Sequence, residues 1–171
     1  KHHWPNDTVF DEQRLFEPAD ISGPYRVGPL VIGSPICEDA WYDDVTEAQA
    51  ESGAQILLVP NGSPYSRAKH DRRMGIMVSR VIETGLPLVY LNFHGGQDDQ
   101  VFDGTSFVLN PGGHLAHLLP GFVDAIRHVD FTETDDGWRA EPGELAPMPD
   151  EWERDYHAMV VGTRDYLHKS G

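Results

Sequence analysis

Cys37, the single cysteine of the chain, lies in the stretch GSPICEDAWYDD (Gly33 to Asp44) and is followed at once by two carboxylates, Glu38 and Asp39. A thiolate is a strong nucleophile for acyl chemistry, but adjacent negative charge raises a thiol's pKa and blunts it. The residues leave two readings open. In one, the thiol is a small buried hydrophobe at the end of an apolar strand. In the other it is a nucleophile at a strand's carboxyl end, where α/β sheets gather their catalytic groups. The second reading needs an ammonium nearby to support the thiolate and the oxyanion formed on attack. The remaining polar clusters carry weaker signals. Of nine histidines, His2 and His3 are adjacent, yet no i, i+4 pair with an acid partner and no cysteine cluster occurs, so spacing predicts no metal site. HGGQDDQ (His94 to Gln100) has two glycines without the spacing of a phosphate-binding loop and reads as a loop between strands.

The elements that would position Cys37 alternate. GPLVIGSPI (Gly28 to Ile36) reads as a buried strand and Asp43 to Gly53 as a helix with an acidic start and a glycine stop. Ala54 to Pro60 is the next strand. From Arg67 to Glu83, Met74, Met77, Val78, Val81 and Ile82 recur at helical spacing, and GLPLVYLN (Gly85 to Asn92) returns to strand. The β-α-β-α-β rhythm implies a sheet with helices packed on it. TSFVLNPGGHLAHLL (Thr105 to Leu119) then reads as a hairpin about NPGG, and AIRHVDFT (Ala125 to Thr132) as a further strand, so the sheet ends in antiparallel pieces. Thr132 to Glu151, rich in Pro, Gly and acid, reads as an extended arm. A last helix over Asp150 to Lys169 carries a stripe of Trp152, Tyr156, Met159, Val160, Thr163 and Leu167 that should be buried against something.

Composition bounds the function. The chain has 171 residues, enough for one domain with a hydrophobic core. Thirteen Lys and Arg against 28 Asp and Glu give a formal charge of -15, which argues against nucleic acid or an anionic membrane as the main partner. No apolar run is long enough to span a bilayer and no internal disulfide is possible, so a soluble cytoplasmic protein is expected. The opening KHHWPND reads as the middle of a motif rather than a start, and the chain is taken as a fragment.

Four segments in this order, KHHWPNDTVFDE (Lys1 to Glu12), ICEDAW (Ile36 to Trp41), NGSPYSRAKHDRR (Asn61 to Arg73) and GLPLVYLNFHGGQDDQVFDGTSFVLNPGG (Gly85 to Gly113), resemble the nitrilase superfamily. More narrowly they resemble the glutaminase domains of glutamine-dependent NAD synthetases, through the run at Lys1 to Glu12 and through GGQDDQVFDGTSFVLN. The tail YHAMVVGTRDYLHKSG is similar to the helix that leads from such a domain toward an ATP-using synthetase domain. The resemblance implies an α/β fold, a nitrilase-like four-layer α/β/β/α sandwich present as a partial domain without its N-terminal elements. Residues 1–135 would be the C-terminal part of the glutaminase domain and 136–171 the arm and linker helix.

The family uses a Glu-Lys-Cys triad, and the resemblance places its lysine at Lys1 and its nucleophile at Cys37. Lys1 is then the cation that Cys37 requires. The family glutamate that serves as base precedes the lysine, so the triad is incomplete in this chain and the fragment alone is expected to be inactive. Glu12 matches a supporting glutamate that keeps the lysine charged and in place. Glu38, Trp41 and Ser63 fall where the family lines its glutamine pocket, and Arg72 or Arg73 would hold the substrate carboxylate. Asp7 stands where the family usually has an aromatic tyrosine. The implied partners are L-glutamine, nicotinic acid adenine dinucleotide in the absent synthetase domain, and further copies of the chain in a homo-oligomer. No cofactor is expected in the fragment. ATP and Mg2+ are implied for the full-length enzyme only, since no SGGxDS-type loop occurs here. The rival readings are a stand-alone nitrilase-type amidase or carbamoylase, and a non-catalytic assembly module.

Overall fold

A computed structural model describes residues 1–6 and 10–170. Asp7 lies outside the described residues. The chain forms β1 (Tyr25–Val27), β2 (Leu30–Gly33), α1 (Asp43–Glu51), β3 (Ile56–Asn61), α2 (Lys69–Thr84), β4 (Leu88–Asn92), β5 (His94–Gln97), β6 (Gln100–Asp103), β7 (Phe107–Asn110), β8 (His114–Leu118), β9 (Phe131–Thr134), β10 (Gly137–Ala140) and α3 (Glu151–Lys169). Single 3₁₀ turns occupy Glu12–Arg14 and Cys37–Trp41.

Six strands make one mixed sheet in the order β1-β2-β3-β4-β7-β8. Its centre, β2, β3 and β4, is parallel, with Ile32 opposite Ile56 and Leu57 opposite Leu88. β1 pairs antiparallel with β2, and β7 and β8 add antiparallel on the far side, joined by the NPGG turn. Both turn glycines take positive φ, at 84° and 78°, which a side chain would resist. The parallel strands run Val/Ile/Leu-rich because they are covered. One face meets α1 and α2 through a core of Ala40, Ala54, Leu57, Val59, Met77, Val81, Leu88, Tyr90, Phe107 and Leu109. The other face carries Val108 and Ala116, which pack with Ala140 of β10.

The expected strand Ala125 to Thr132 forms only from Phe131. Thr132 to Ala140 is a hairpin turning at Asp135 and Asp136 rather than an extended arm, so the boundary expected between 135 and 136 falls on its turn. HGGQDDQ is likewise a hairpin, β5 with β6, not a loop. In α2 the buried face holds Met77 and Val81 but also His70, Arg73 and Arg80, while Ile82 is exposed. Arg73, paired with the buried Asp103, shifts that face away from the purely apolar stripe.

The largest correction concerns α3. Its expected stripe points outward, with Trp152 73% and Leu167 64% exposed, and the helix instead buries Ala158 and Val161. Small residues decide this. A Cβ on Gly96 would sit 3.3 Å from Gly162 Cα, and one on Gly162 would meet Val101 at 2.9 Å. The glycines of HGG therefore serve close approach of helix to hairpin. Asp165 accepts the Gly96 N–H at 2.7 Å, Lys169 donates to the Gly96 carbonyl at 2.6 Å, and Asp150 caps the helix start by accepting from Glu153 N at 2.9 Å. No described helix is long and apolar enough to cross a membrane.

At Gly33, the last residue of β2, an added Cβ would lie 2.8 Å from Leu57 Cδ2 and 2.8 Å from Gln49 Oε1. Gly33→Ala is expected to lower unfolding free energy by about 1–3 kcal/mol through overpacking, read as a reduced midpoint in urea at unchanged slope.

Candidate active site

The carboxyl ends of the three parallel strands converge. β2 leads through Ser34 to Ile36 into Cys37, β3 ends at Asn61 and delivers Gly62 and Ser63, and β4 ends at Asn92. Cys37 opens its 3₁₀ turn at φ 53°, a left-handed conformation unusual for a residue with a Cβ. Such strain costs about 1–3 kcal/mol and persists only where its surroundings impose it. Here they do so through Asp39. This carboxylate is 3% exposed and accepts three backbone N–H groups: His2 at 2.9 Å and His3 at 2.7 Å on Oδ1, and Ile36 at 3.1 Å on Oδ2. One side chain thus ties the residues after Lys1 to the residue before Cys37.

Lys1 is held from its other end too. Its ammonium donates to Glu12 Oε2 at 2.9 Å, lies 4.8 Å from the centre of the Trp4 ring, and is 11% exposed. Its carbonyl accepts from Ala19 N at 3.1 Å. The lysine charge acts on the Cys37 thiol, as do the backbone N–H groups of Gly62 and Glu38. Burial pushes the thiol above its ordinary value. Lys1 and the two N–H groups pull it down, the Glu38 carboxylate pushes it up, and the net position stays raised.

The thiol opens into a cavity of about 260 Å³ lined by Pro5, Phe10, Glu38, Trp41, Gly62, Ser63, Pro64, Tyr65, Ser66, Lys69 and Gln100. Of the residues singled out from sequence, Cys37, Glu38, Trp41 and Ser63 share this cavity; Lys1 and Glu12 do not line it, but pair with each other, and the Lys1 charge reaches the thiol. Arg72 does not line it. Its guanidinium stacks 4.8 Å from the Trp41 ring centre, and Lys69 lies over the same ring at 4.8 Å. Arg73 is 1% exposed and fully engaged: it donates to both oxygens of Asp103 at 2.8 and 3.1 Å, to Ser63 Oγ at 3.1 Å, and to the carbonyls of Ser63 and Pro64 at 2.8 and 2.9 Å. A guanidinium so saturated has nothing left for a ligand. It fixes the loop after β3, with Asn92 accepting from Ser63 N at 2.9 Å.

Sequence reading missed Gly62, Tyr65, Lys69 and Gln100, which line the cavity, and Asp39, which builds it. Only NGSPY immediately after an apolar strand could have flagged the first two. Tyr65 is also tied outward, since its hydroxyl donates to Asp155 of α3 at 2.8 Å, while Arg67 Nε reaches the other Asp155 oxygen at 2.9 Å. Burial and the Asp155 carboxylate push the Tyr65 hydroxyl up to about 12.

Comparison with known proteins gives a consistent picture. Residues 1–135 match the carbon-nitrogen hydrolase family. The glutamine-dependent NAD(+) synthetase of Rhodobacter capsulatus is 56% identical over 171 residues, which are 100% of this chain and 31% of that protein. The chain thus spans about a third of the relatives it matches. The structure of glutamine-dependent NAD+ synthetase from Acinetobacter baumannii in complex with ADP superposes with a TM-score of 0.91 at 33% identity, covering 100% of this chain and 32% of that one. A variant of the Nesterenkonia AN1 amidase from the nitrilase superfamily matches with a TM-score of 0.57 at 28% identity, over 64% of this chain and 41% of its own.

The electrostatics of the thiol make a signed prediction. The rate of Cys37 alkylation by iodoacetamide should rise with pH with a midpoint above that of a free thiol. Lys1→Gln should move the midpoint further up, and Glu38→Gln should move it down, because each removes a charge whose sign is known. Coincident profiles for the three proteins would mean that neither charge reaches the sulfur.

Proposed function

Because the chain belongs to the carbon-nitrogen hydrolase family, we propose that it works as the glutamine-hydrolysing part of an NAD+ synthetase. The observation that carries the reading is the Lys1 ammonium, fixed by Glu12 at 2.9 Å and acting on the Cys37 thiol behind a cavity of about 260 Å³. The synthetase relatives that align along the whole chain support the choice of glutamine over other amides.

In this reading the Cys37 thiolate attacks the side-chain amide carbon of L-glutamine. The carbonyl electrons move onto oxygen, where the Lys1 ammonium and a backbone N–H following the cysteine offset the charge. When the tetrahedral intermediate collapses, the protonated nitrogen leaves as ammonia and a glutamyl thioester remains. Water then attacks the thioester, glutamate departs, and the thiol is restored. The proton acceptor that the family resemblance implies is a glutamate ahead of the lysine in sequence. Glu38, Trp41 and Ser63 would border the amino-acid end of the substrate. Lys69, rather than Arg72, supplies the cation on the cavity wall for its carboxylate.

The ammonia would serve amidation of nicotinic acid adenine dinucleotide elsewhere in the full-length protein. ATP and Mg2+ would act in that amidation, in the synthetase part of the full-length protein. The outward stripe of α3 supports a homo-oligomeric or interdomain role for that face.

Two experiments on the full-length protein test the reading. With glutamine as substrate, ammonia release should fall to background in Cys37→Ala and by at least a hundredfold in Lys1→Gln. Release unaffected by Cys37→Ala would remove the proposal. Asp39→Asn keeps the size of the clamp but removes its charge, so kcat should drop at least tenfold with KM changed less, and the alkylation midpoint of Cys37 should rise as Lys1 loosens. Loss of stability without a change in that midpoint would make Asp39 merely structural.

A further inference from the structure

The fold brings together a cluster that no spacing rule finds. His2 and His3 lie in the segment after Lys1, Asp44 lies in the first turn of α1, and their ligand atoms all fall within 4.8 Å of one another. We propose that these three side chains form a binding site for one divalent transition cation of the zinc class, beside the Cys37 cavity and separate from its chemistry. The inference does not depend on the glutaminase reading.

Geometry supports it at each donor. His3 Nε2 is 2.9 Å from both Asp44 oxygens, and His2 Nε2 is 3.9 Å from Oδ2. In a tetrahedral zinc site with bonds near 2.0–2.2 Å, donor atoms stand about 3.3–3.5 Å apart. The His3–Asp44 and His2–Asp44 separations lie on either side of that value, and closing the site on an ion requires the two imidazole nitrogens, now within 4.8 Å, to stand at the same spacing.

The tautomer of His2 is fixed by its other nitrogen. Nδ1 lies 2.8 Å from the Ala19 carbonyl oxygen, which can only accept, so the proton sits on Nδ1 and the Nε2 lone pair faces the cluster. A backbone carbonyl on the far ring nitrogen is the usual orienting partner of a metal-bound histidine.

His3 is held against the Tyr42 ring at 4.2 Å and edge-on to His2 at 4.7 Å. A metal arriving at its Nε2 displaces the proton shared with Asp44, which leaves to solvent or reappears on Nδ1. The Asp44 carboxylate accepts the Val45 N–H at 2.8 Å on Oδ1 and keeps both oxygens within reach of the His3 ring. Two imidazoles and one carboxylate select zinc-like ions over Mg2+ or Ca2+, which prefer all-oxygen shells. A bound ion would join the Lys1 segment to the start of α1, reinforcing the connection that Asp39 makes through backbone N–H groups.

The test uses untagged full-length protein carrying Cys37→Ala, so that the thiol contributes no ligand, stripped with a chelator and titrated with ZnCl2 by calorimetry. The parent should bind one equivalent that His3→Gln and Asp44→Asn each weaken at least tenfold. Co2+ in the same site should give d–d absorption without a thiolate charge-transfer band, lost in the same variants. Circular dichroism and metal-free melting check that the variants are folded, and His2→Gln, altered at a partly exposed ring, gives an independent third reading. An identical zinc stoichiometry and affinity in the parent and all folded variants would overturn the site, as would the absence of saturable binding in the parent.

Discussion

The architecture of this site rests on a carboxylate that does no chemistry. Asp39 is buried with its charge, which is tolerable only because three backbone N–H groups surround it. Each comes from one of the two segments that must meet, positions 2 and 3 on one side and position 36 on the other. Removing the side chain would leave donors from both segments without this acceptor in a buried setting, a cost of about 1–3 kcal/mol for each group left unpaired. The clamp therefore does two things at once. It holds Cys37 in a left-handed backbone conformation, and it brings the lysine that begins the neighbouring segment to bear on the sulfur.

How far the fold could be read from sequence follows from which interactions decide each element. β2, β3, β4 and the β7–β8 hairpin were legible because long apolar runs with glycine and proline boundaries leave few alternatives. α1 and α2 were legible from period and stop signals, with Gly85 ending α2 at φ 70°. The orientation of α3 was not. Five large apolar residues and Thr163 argued for one face, while the packing that forms within this chain uses Ala158, Val161 and Gly162 against Gly96. Small residues carry almost no weight in a hydrophobic pattern, yet they alone allow a helix backbone to approach a hairpin so closely. The β9–β10 hairpin was hidden for a related reason: its strands are four residues each, half exposed, and neither contains an apolar run.

The candidate site was legible in several of the residues that line it and illegible in its supports. Cys37 stood out by rarity, and the need for a cation followed from its acidic neighbours. The family resemblance then named Lys1 and Glu12, which the structure places at 2.9 Å from each other. Arg73 shows what residue type alone cannot tell. A guanidinium near a pocket suggests carboxylate recognition, but five donors spent on Asp103, Ser63 and Pro64 make it a loop fastener. The distinction depends on Asp103, thirty residues away in β6, and no local pattern signals that pairing. Gly62 is similar, since its contribution is a backbone N–H, which every residue but proline possesses.

The balance of forces on the sulfur also constrains when charge appears there. Burial alone would keep the thiol protonated, and one nearby ammonium with two N–H donors does not fully reverse that preference. The Lys1 charge is partly spent on Glu12, whose carboxylate fixes its position. A site arranged this way favours the neutral thiol, and in the proposed reaction it would stabilise negative charge spread between sulfur and an incoming carbonyl oxygen. That oxygen would sit among the same ammonium and N–H groups. Fixed donors cost no reorganisation as the charge forms. The acidic neighbour Glu38 works in the same direction, penalising an isolated thiolate without penalising a thiol. In the proposed reaction the arrangement would thus be less suited to holding a reactive thiolate in readiness than to lowering the energy of the intermediate that the thiolate would make.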